Sequence, residues 1–490
     1  MSGRPGPDQP RVRANDWTVL VVPPLGTWRP TLSVSVVIPA HDPAHLSLVL
    51  AGLAAQGYPA GLLEVVVVDD GSEPPVLLPE VRPVNTRLVR MTDGWGRAAA
   101  CQFGADHSEG DVVHWLDADM VAGRDEVEAQ LRWHHVIDYA VVLGDKVFAD
   151  ADALDHLDPG SLRDHLAHGT IPEHLARGDL VSHVWIDRIM GLTDRLASAG
   201  PRAMRVHAGA SASVGRDLFR ASTGMPVDLV LGEDIVLGYR LREAGGVFIP
   251  DPDARSVHLG RSNVMRGESE VNRYNKPFIT DKVPEFRGHR MAFPRSYEVP
   301  YAEVVIPVGS STYEDVRAAV DALLAGSVPD LVLTLVADWS GLSPGRRSVL
   351  ADEGLDLRLV RAAYVAEPRV RLQTQVPDRC EATFRLDLPG PDWFPAGHAL
   401  ESLLFEMEND HAGAVVVELP GGGSSRITRT AATARARRTS RAPTFHEAMR
   451  AVYPTRTTTA DAAGFSNPAQ AQKIKRLRGL VTWGAETRRA

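Results

Sequence analysis

Two carboxylates end an apolar run in the N-terminal half of the chain. The run Val112–Leu116 leads directly into Asp117, Ala118 and Asp119. Side chains alternate across an extended strand, so Asp117 and Asp119 project from the same side of a strand that runs out at Ala118. Mg²⁺ and Mn²⁺ prefer oxygen ligands and bridge carboxylates to substrate phosphates. The pair predicts a divalent-cation site, although acids that cap the next helix or solvate a turn give the same pattern.

A second acidic pair, Glu233-Asp234, opens a predicted helix that closes at Ala244-Gly245-Gly246. The helix dipole favours acids at this position whether or not they take part in chemistry. A carboxylate placed there can also act as a general base toward a substrate hydroxyl. His258 follows the next predicted strand, Val247–Pro250, and a lone histidine in such a place is usually structural.

The elements that must position these residues alternate between strand and helix. Ser33–Pro39 and Leu63–Val68 are apolar almost throughout, as in strands covered on both faces. Between them we expect a helix with Asp42 as its N-cap. This order predicts parallel strands with a right-handed crossover, and ligands of such α/β sheets bind at the carboxyl ends of strands. The residues at these ends are Ala40, Asp70 and Asp117.

Two further segments suit a binding site. In the loop Asp93–Arg97 the glycines allow the backbone to approach a ligand, and Arg97 either binds phosphate or forms a surface ion pair. Residues 150–200 lack periodicity and are predicted to shape a substrate pocket or a mobile loop. Their histidines have no tight ligand spacing, so we interpret most of them as surface residues: His156, His165, His168, His174 and His183.

Length and composition indicate a globular protein of more than one domain. The chain has 490 residues, of which 44% are hydrophobic and 23% charged. It has no apolar run of about eighteen residues, and its N-terminus lacks the apolar centre of a signal peptide, so we expect a cytoplasmic protein. Cys101 and Cys380 fit no metal or disulfide framework and are expected to be small buried hydrophobes.

The net charge of −9 argues against nucleic acid as the main partner. From Arg426 to Ala490 there are 14 Lys/Arg and 3 Asp/Glu, a local charge of +11, so the preceding residues carry −9 − 11 = −20. In this tail Ile474, Leu477 and Val481 recur at helical spacing among cations. The pattern predicts either a peripheral contact with an anionic membrane or a basic helix packed on the acidic body.

Five motifs, taken in order, carry a resemblance to a known family: IPAHDP, VVVVDDGS, WLDADM, GEDIVLGYRLREAGG and SVHLG. Over about residues 33–263 the chain resembles the family 2 glycosyltransferases with the GT-A fold. After Gly232 it is similar to chondroitin-polymerase-type and polypeptide GalNAc-transferase-like domains. The resemblance implies an α/β GT-A fold and Mn²⁺- or Mg²⁺-dependent, inverting transfer from a UDP-sugar to an acceptor hydroxyl. A retaining outcome remains an alternative, and the acceptor is a glycan, lipid-linked sugar, peptide or small molecule.

The resemblance also implies a role for each site residue. Asp234 becomes the general base, and Glu233 orients the acceptor. Asp119, helped by Asp117, holds the cation on the diphosphate, and His258 completes the metal shell. Asp70, with Asp69 nearby, binds the uracil edge, and Arg97 lies near the ribose or phosphate. The implied nucleotide-sugar residues are Pro39, Ala40, His41, Asp69, Asp70, Arg97 and Asp117.

The sequence departs from the family in the helix before the acidic strand. Many relatives carry Ala-Arg-Asn there, whereas this chain has Ala100-Cys101-Gln102. The donor contacts of that helix are therefore left open.

The second half of the chain reads as a repeat. Glu303–Pro307 resembles Ser35–Pro39, and Asp338 follows Pro307 by 31 residues, as Asp70 follows Pro39. The helix between them is predicted to begin at a capping box of Ser311 and Glu314. Phe384–Pro389 takes the place of the acidic strand, with Pro389 instead of its second acid.

These features predict four segments: an irregular segment 1–30, a catalytic GT-A domain 31–296, a degenerate GT-A-like domain 297–420 and a basic tail 421–490. Gly421–Gly423 is interpreted as the linker before the tail. A single intact acidic site favours addition of one sugar over synthesis of an alternating copolymer.

Two alternatives stay open. A nucleotidyltransferase also holds Mg²⁺ with acids on an α/β sheet, but Glu233-Asp234 and His258 would have no evident task there. A non-catalytic sugar-binding or scaffold protein would suit the second half alone.

Overall fold

The structure is a computed structural model that describes residues 5, 9–150, 157–170, 184–290, 295–439, 442 and 444–470. The chain divides into two compact units. Unit 1 comprises residues 1–279 and 434–443, and unit 2 comprises residues 280–433 and 444–490.

Unit 1 is built on an eight-stranded mixed sheet. Its strands are β1 (Val34–Ala40), β2 (Leu63–Asp69), β3 (Thr86–Arg90), β4 (Val112–Leu116), β5 (Met120–Ala122), β6 (Ala140–Ala149), β7 (Ser211–Gly215) and β8 (Val247–Leu259). They lie in the order β3-β2-β1-β4-β7-β6-β8-β5. The first four are mutually parallel, β7 is antiparallel to β4 and β6, and β6 is parallel to β8.

The helices fall between the strands in both units. They are α1 (Leu46–Ala54), α2 (Arg97–Asp106), α3 (Glu126–His134), α4 (Pro159–Ala167), α5 (Val184–Leu192), α6 (Arg216–Ala221), α7 (Glu233–Glu243), α8 (Asn263–Arg266), α9 (Glu268–Lys282), α10 (Tyr313–Leu324), α11 (Leu355–Tyr364), α12 (Ala399–Asn409), α13 (Thr430–Thr439) and α14 (Phe445–Val452). Short 3-10 turns occur at Trp17–Val19, Ala60–Leu62, Gly200–Val206, Arg287–His289 and Val349–Ala351.

The strands expected from continuous apolar runs are confirmed. The apolar residues of β1 and β2 are buried, as in strands with helices on both faces. The predicted cap at Asp42 is wrong, because α1 begins only at Leu46. Asp42 has a φ of 45° and is held in a loop, where its amide donates to Ser72 Oγ and its carboxylate accepts from the Glu73 amide.

Two strands run further than their sequences suggested. β8 continues through His258, and β6 continues past Gly144 to Ala149. A register shift between Gly144 and Asp145 keeps β6 paired with β8, so that Phe148 lies opposite His258. This extension brings the second half of β6 to the end of the sheet where the acidic residues lie.

Unit 2 repeats the strand order of unit 1. Its strands are β9 (Ala302–Pro307), β10 (Leu331–Val336), β11 (Val370–Gln373), β12 (Phe384–Asp387), β13 (Phe394–Pro395), β14 (Ala414–Glu418), β15 (Ser424–Arg429), β16 (Thr455–Thr459) and β17 (Phe465–Ser466). The order β11-β10-β9-β12-β15-β14-β16 matches β3-β2-β1-β4-β7-β6-β8, with the same parallel and antiparallel pairs. A separate pair, β13 and β17, is antiparallel.

The expected linker and tail are corrected by this sheet. Gly421, Gly422 and Gly423 all have positive φ and turn the chain between β14 and β15, whose register pairs Glu418 with Ser424. Strands β15, β16 and β17 then continue unit 2 beyond residue 420. Residues 424–429 and 444–470 therefore belong to unit 2 and do not form a separate tail. Its proposed membrane-binding residues, Ile474, Leu477 and Val481, lie outside the described residues.

The register of unit 2 also shifts the comparison of the acidic strands. Val37 pairs with Trp115 in unit 1, and the equivalent Val305 pairs with Asp387 in unit 2. Asp387 therefore stands where unit 1 has Trp115, and Pro389 replaces the first acid rather than the second. Pro391 takes the position of Asp119, so unit 2 retains neither acid.

The capping box before α10 lies one residue later than expected. Thr312, not Ser311, is the N-cap, and its side chain accepts from the Asp315 amide and donates to the Asp315 carboxylate. The helix itself was predicted correctly.

A buried polar network lies under the sheet of unit 1. Glu126 Oε1 accepts from Ser211 Oγ at 2.8 Å and Gln130 Nε2 at 2.5 Å, and lies 3.3 Å from His114 Nε2. Burial raises the pKa of Glu126, but His114 and the hydrogen bonds outweigh it, so the pKa lies below its usual value. Removing this carboxylate would leave His114 and its neighbours buried without their common partner.

We therefore expect Glu126→Leu to lower the free energy of unfolding by about 3 kcal/mol in urea titrations near neutral pH. A carboxyl group with a lowered folded-state pKa stabilises above its unfolded-state value, and this stabilisation is lost as the pH falls through the folded-state value. The difference in unfolding free energy between the wild type and Glu126→Leu should thus be complete above pH about 5 and become smaller only at lower pH. The exposed Glu80→Leu is the control, and an equal effect of both variants would contradict the network's role.

Within the ranges that the structure describes, no helix combines the length and the apolar character needed to cross a membrane.

Candidate active site

A carboxylate and an imidazole face each other at the end of the unit 1 sheet. Because β5 is antiparallel to β8, Met120 lies opposite His258, and Asp119 Oδ1 comes within 3.7 Å of His258 Nε2. His258 Nδ1 is 3.2 Å from the carbonyl oxygen of Gly260, which can only accept, so Nδ1 donates to it and Nε2 is the ring nitrogen that faces Asp119. Asp119 Oδ1 is shielded from solvent and accepts no hydrogen bond.

This pair fits a divalent cation. Burial raises the pKa of Asp119, with His258 acting in the opposite direction. An orphaned carboxylate oxygen facing an oriented imidazole nitrogen is the environment that a bound cation relieves. Nowhere in the described part of the chain do three His, Cys, Asp or Glu side chains form a metal cluster. The protein thus offers two ligands, which suits an ion that takes its remaining ligands from phosphate oxygens and water.

Arg97 connects the two acidic motifs. Its Nε donates to Asp117 Oδ1 at 2.8 Å, its Nη1 to Glu233 Oε1 at 3.0 Å and its Nη2 to the carbonyl of Gly209 at 2.6 Å. Burial lowers the pKa of Arg97, but the carboxylates of Asp117 and Glu233 outweigh it and hold the pKa well above its usual value. The guanidinium expected to bind phosphate is thus engaged by the protein, and Asp117 is held by it.

The two acids of α7 have different surroundings. Glu233 is 5% exposed, and burial raises its pKa to about 7, against the effect of Arg97. Asp234 is half-buried, and its carboxylate accepts from the amides of Ile235 (2.8 Å) and Gly209 (3.4 Å). Asp234 is therefore the acid that a substrate can reach, whereas Glu233 is held beneath it by Arg97.

The backbone of Gly209 connects Asp234 with Arg97, which the sequence did not reveal. Its amide donates to Asp234, and its carbonyl accepts from Arg97. A Cβ at this position would lie 2.7 Å from Arg97 Nη2, which is too close for any other residue without a shift of the arginine. His207 adds a bond from Nδ1 to the carbonyl oxygen of Asp234 at 2.7 Å.

The predicted nucleotide residues lie at the ends of β1 and β2. The Asp70 amide donates to the Ala40 carbonyl, and His41 Nδ1 donates to the Asp70 carbonyl. Asp70 Oδ2 accepts from the Gly96 amide at 2.7 Å, which ties it to the loop before Arg97. Pro39 is the half-buried neighbour of Ala40 in β1.

Asp69, the residue before Asp70, is buried. It is 1% exposed, and its two oxygens accept from the amides of Ser72 and Val76. Burial raises its pKa, but these bonds outweigh it and hold the pKa below the usual value. The carboxylate of Asp69 thus shapes the loop that follows Asp70, and its expected contact with the nucleotide sugar stays a prediction.

Lys146 is a site residue that sequence reasoning missed. Burial lowers its pKa, and the carboxylates of Asp117 and Asp234 act in the opposite direction, so its charge interacts with those of both acids. The strand was expected to stop at Gly144, which left Lys146 in a loop. The strand-forming residues Val147 and Phe148 after that glycine are a signal that could have placed it on β6.

A cavity of about 360 Å³ adjoins Lys146. Its wall includes Phe148 and Ser211 from the sheet and Ile186 and Met190 from α5. The expectation that the long β6–β7 connection shapes a pocket agrees with this lining. His165 and His168 are exposed at the end of α4, whereas His156, His174 and His183 lie outside the described residues.

Comparisons with known proteins find a family match for the segment that carries the motifs IPAHDP, VVVVDDGS and WLDADM. Residues 35–156 match the family described as glycosyl transferase family 2. An N-acetylglucosaminyltransferase of Bradyrhizobium elkanii is 37% identical over 102 residues, which are 19% of this chain and 56% of the relative. The chain thus spans about half the length of that relative.

Solved structures are more distant. The mannosyltransferase PcManGT from Pyrobaculum calidifontis, in complex with GDP-Man and Mn²⁺, is 21% identical, with 56% of this chain and 70% of that chain covered and a TM-score of 0.39. GalNAc-T7 with UDP, GalNAc and Mn²⁺ is 15% identical, with 53% and 54% covered and a TM-score of 0.33.

Proposed function

We propose, because residues 35–156 belong to glycosyltransferase family 2, that this chain transfers a sugar from a UDP-sugar to an acceptor hydroxyl with inversion. A difference among the four acids of the site supports this proposal. Arg97 engages Asp117 and Glu233, while Asp119 and Asp234 stay accessible. One accessible acid serves the donor and the other serves the acceptor.

On the donor side, Asp119 and His258 are the residues that would hold Mn²⁺ or Mg²⁺, with Asp117 behind them. When bound, the ion supplies positive charge to offset the negative charge that develops on the departing diphosphate. Asp70 is proposed to bind the uracil edge through carboxylate oxygen Oδ1, since Oδ2 accepts from the Gly96 amide and the backbone of Asp70 is hydrogen-bonded to Ala40 and His41.

On the acceptor side, Asp234 is proposed to take the proton of the attacking hydroxyl. Its carboxylate is fixed by the amides of Ile235 and Gly209, so it does not have to be ordered during the reaction. The positive charge of Lys146, on the second half of β6, interacts favourably with the carboxylates of Asp234 and Asp117 and offsets their mutual repulsion. Glu233 positions Asp234 through Arg97 and the Gly209 backbone.

The test of this function is turnover with a panel of UDP- and GDP-sugars in the presence of Mn²⁺, with and without candidate acceptors. We expect slow donor hydrolysis without acceptor and a preference for a UDP-sugar. Release of pyrophosphate from a nucleoside triphosphate and a sugar phosphate would instead indicate a nucleotidyltransferase. No turnover together with sugar binding would indicate a non-catalytic protein.

A second expectation concerns the number of donor sites. Because Pro389 and Pro391 stand where unit 1 has Asp117 and Asp119, unit 2 offers no carboxylate at the equivalent place. Calorimetric titration of the full chain with UDP and Mn²⁺ should therefore give one site per chain. Two equivalent Mn²⁺-dependent sites would contradict the assignment of a single active unit. One site supports addition of a single sugar.

A further inference from the structure

Unit 2 has a pocket at a place that unit 1 fills with an aromatic side chain. In unit 1 Trp115 is fully buried, and its ring lies 5.1 Å from that of Phe219. The matching registers of the two sheets put Asp387 at the position of Trp115 and Arg426 at that of Ala212. A large apolar side chain has thus been exchanged for a short acid with an arginine beside it.

The result is a cavity of about 300 Å³ in unit 2. Its lining residues include Asp387, Ser424, Arg426, Phe445, His446 and Met449. Cavities of this size hold small organic ligands. The site differs in place and in chemistry from the acidic end of unit 1.

The charged groups of this pocket leave an excess of positive charge. Arg385 Nε binds Asp387 Oδ1 at 2.7 Å and so neutralises the acid from outside the pocket. Arg426 Nη2 lies 4.0 Å from the other carboxylate oxygen, which is beyond hydrogen-bond distance. Two arginines therefore face one carboxylate, and His446 adds a further donor at the rim.

Arg426 is held in a defined place by an aromatic ring. Its guanidinium carbon lies 4.8 Å from the ring centroid of Phe445, and its side chain is 46% exposed. Within the described residues, its nitrogens make no hydrogen bond to the protein. A fixed guanidinium with free donors is the group that proteins use for bidentate binding of phosphate or carboxylate.

We propose that this pocket binds the phosphate or carboxylate group of a small organic anion, without a metal ion. Arg426 supplies the paired donors, Phe445 fixes their plane and His446 closes the rim. Asp387 limits the affinity by repulsion, which its ion pair with Arg385 partly offsets. The proposal is independent of the reaction assigned to unit 1, because no residue of that site takes part.

The test uses the full chain in EDTA, titrated calorimetrically with glucose 6-phosphate, with glucuronate and with neutral glucose. We expect at least one anion to bind and glucose not to bind. The two anions distinguish a phosphate ligand from a carboxylate ligand. Arg426→Gln should weaken binding at least about tenfold, as loss of a charge-assisted hydrogen-bond pair does. Arg371→Gln, which removes another partly exposed arginine of unit 2, should leave the affinity unchanged.

A second variant tests whether Arg426→Gln weakens binding through charge rather than by disturbing the structure of unit 2. Asp387→Asn removes the repelling charge and should tighten anion binding several-fold. In hydrogen exchange, the bound anion should protect residues 424–429 and 445–449. Failure of both anions to bind, equal affinity in Arg426→Gln and wild type, or binding of glucose as tight as that of the anions would overturn the proposal.

Discussion

Replacement of Asp234 by asparagine is expected to lower the rate of sugar transfer at least about 10²-fold, the lower end of what a general base contributes. Asparagine keeps the size of the side chain and one oxygen that can accept from the Ile235 amide, although its nitrogen cannot accept from the Gly209 amide, whose bond to Asp234 is the longer of the two at 3.4 Å. Asparagine cannot take a proton. The affinity for the UDP-sugar should stay within a few-fold, because Asp234 lies on the acceptor side of the proposed site.

The measurements are turnover with acceptor and donor binding by titration. Asp217→Asn is a matched control, since Asp217 is the second residue of α6 as Asp234 is of α7, but it is exposed. It should leave both quantities unchanged. Near-normal turnover of Asp234→Asn would mean that another group removes the proton. A product that retains the anomeric configuration of the donor, read by NMR, would reject the inverting mechanism.

Glu233→Gln should behave differently from Asp234→Asn. Glu233 is buried and bound to Arg97, whose other nitrogens hold Asp117 and the Gly209 carbonyl. Loss of its charge would loosen the arginine that both halves of the site share, so donor affinity and turnover should fall together. A change in turnover alone is the signature that separates the base from its positioning partner.

The parts of the fold that the sequence predicted correctly are those set by local pattern. Apolar runs such as Val65–Val68 can only be strands covered on both faces, and the carboxyl ends of parallel strands must meet at one edge. This was enough to bring Asp70 and Asp117 to one edge, whereas the Glu233-Asp234 helix was assigned to the same site only through the family resemblance. That helix begins at Glu233 as predicted, but the predicted caps Asp42 and Ser311 are wrong.

The parts that could not be predicted depend on contacts between distant residues. Arg97 was expected either to bind phosphate or to form a surface ion pair, because nothing in its own loop shows that Asp117, Gly209 and Glu233 surround it. Lys146 reaches the site only because a register shift lets β6 pair with β8 beyond Gly144. A pattern in one segment cannot reveal a partner that lies a hundred residues away.

The sequence also failed to predict one strand pair of unit 2, because that pairing depends on contacts between strands. Three consecutive glycines suggested a linker, but each adopts the positive φ that a tight hairpin between β14 and β15 requires. Unit 1 uses part of the equivalent connection, between residues 186 and 208, to line its cavity. Unit 2 therefore keeps the sheet order of unit 1 while lacking both its acids and its pocket-forming insertion.

Loss of the Asp119 carboxylate has the other large expected effect. Asp119 Oδ1 is buried without a hydrogen bond and faces His258 Nε2 at 3.7 Å, so its proposed task is to hold the divalent ion. Such an ion contributes several kcal/mol to stabilisation of a departing diphosphate, and each 1.36 kcal/mol changes the rate about tenfold. Asp119→Ala should lower transfer at least about 10³-fold.

EDTA should have the same effect on the wild type, and added Mn²⁺ should restore the wild type but not Asp119→Ala. A measurement of UDP binding, rather than of activity, distinguishes Asp119→Ala from Asp234→Asn. In Asp119→Ala, calorimetry should show UDP binding in Mn²⁺ reduced to its level in EDTA, whereas Asp234→Asn should keep the Mn²⁺-dependent part. His258→Ala should weaken the Mn²⁺-dependent part of UDP binding less than Asp119→Ala does. A neutral ligand contributes less than a carboxylate to binding a hard cation. Full turnover in EDTA would remove the ion from the mechanism and leave Asp119 without the role proposed here.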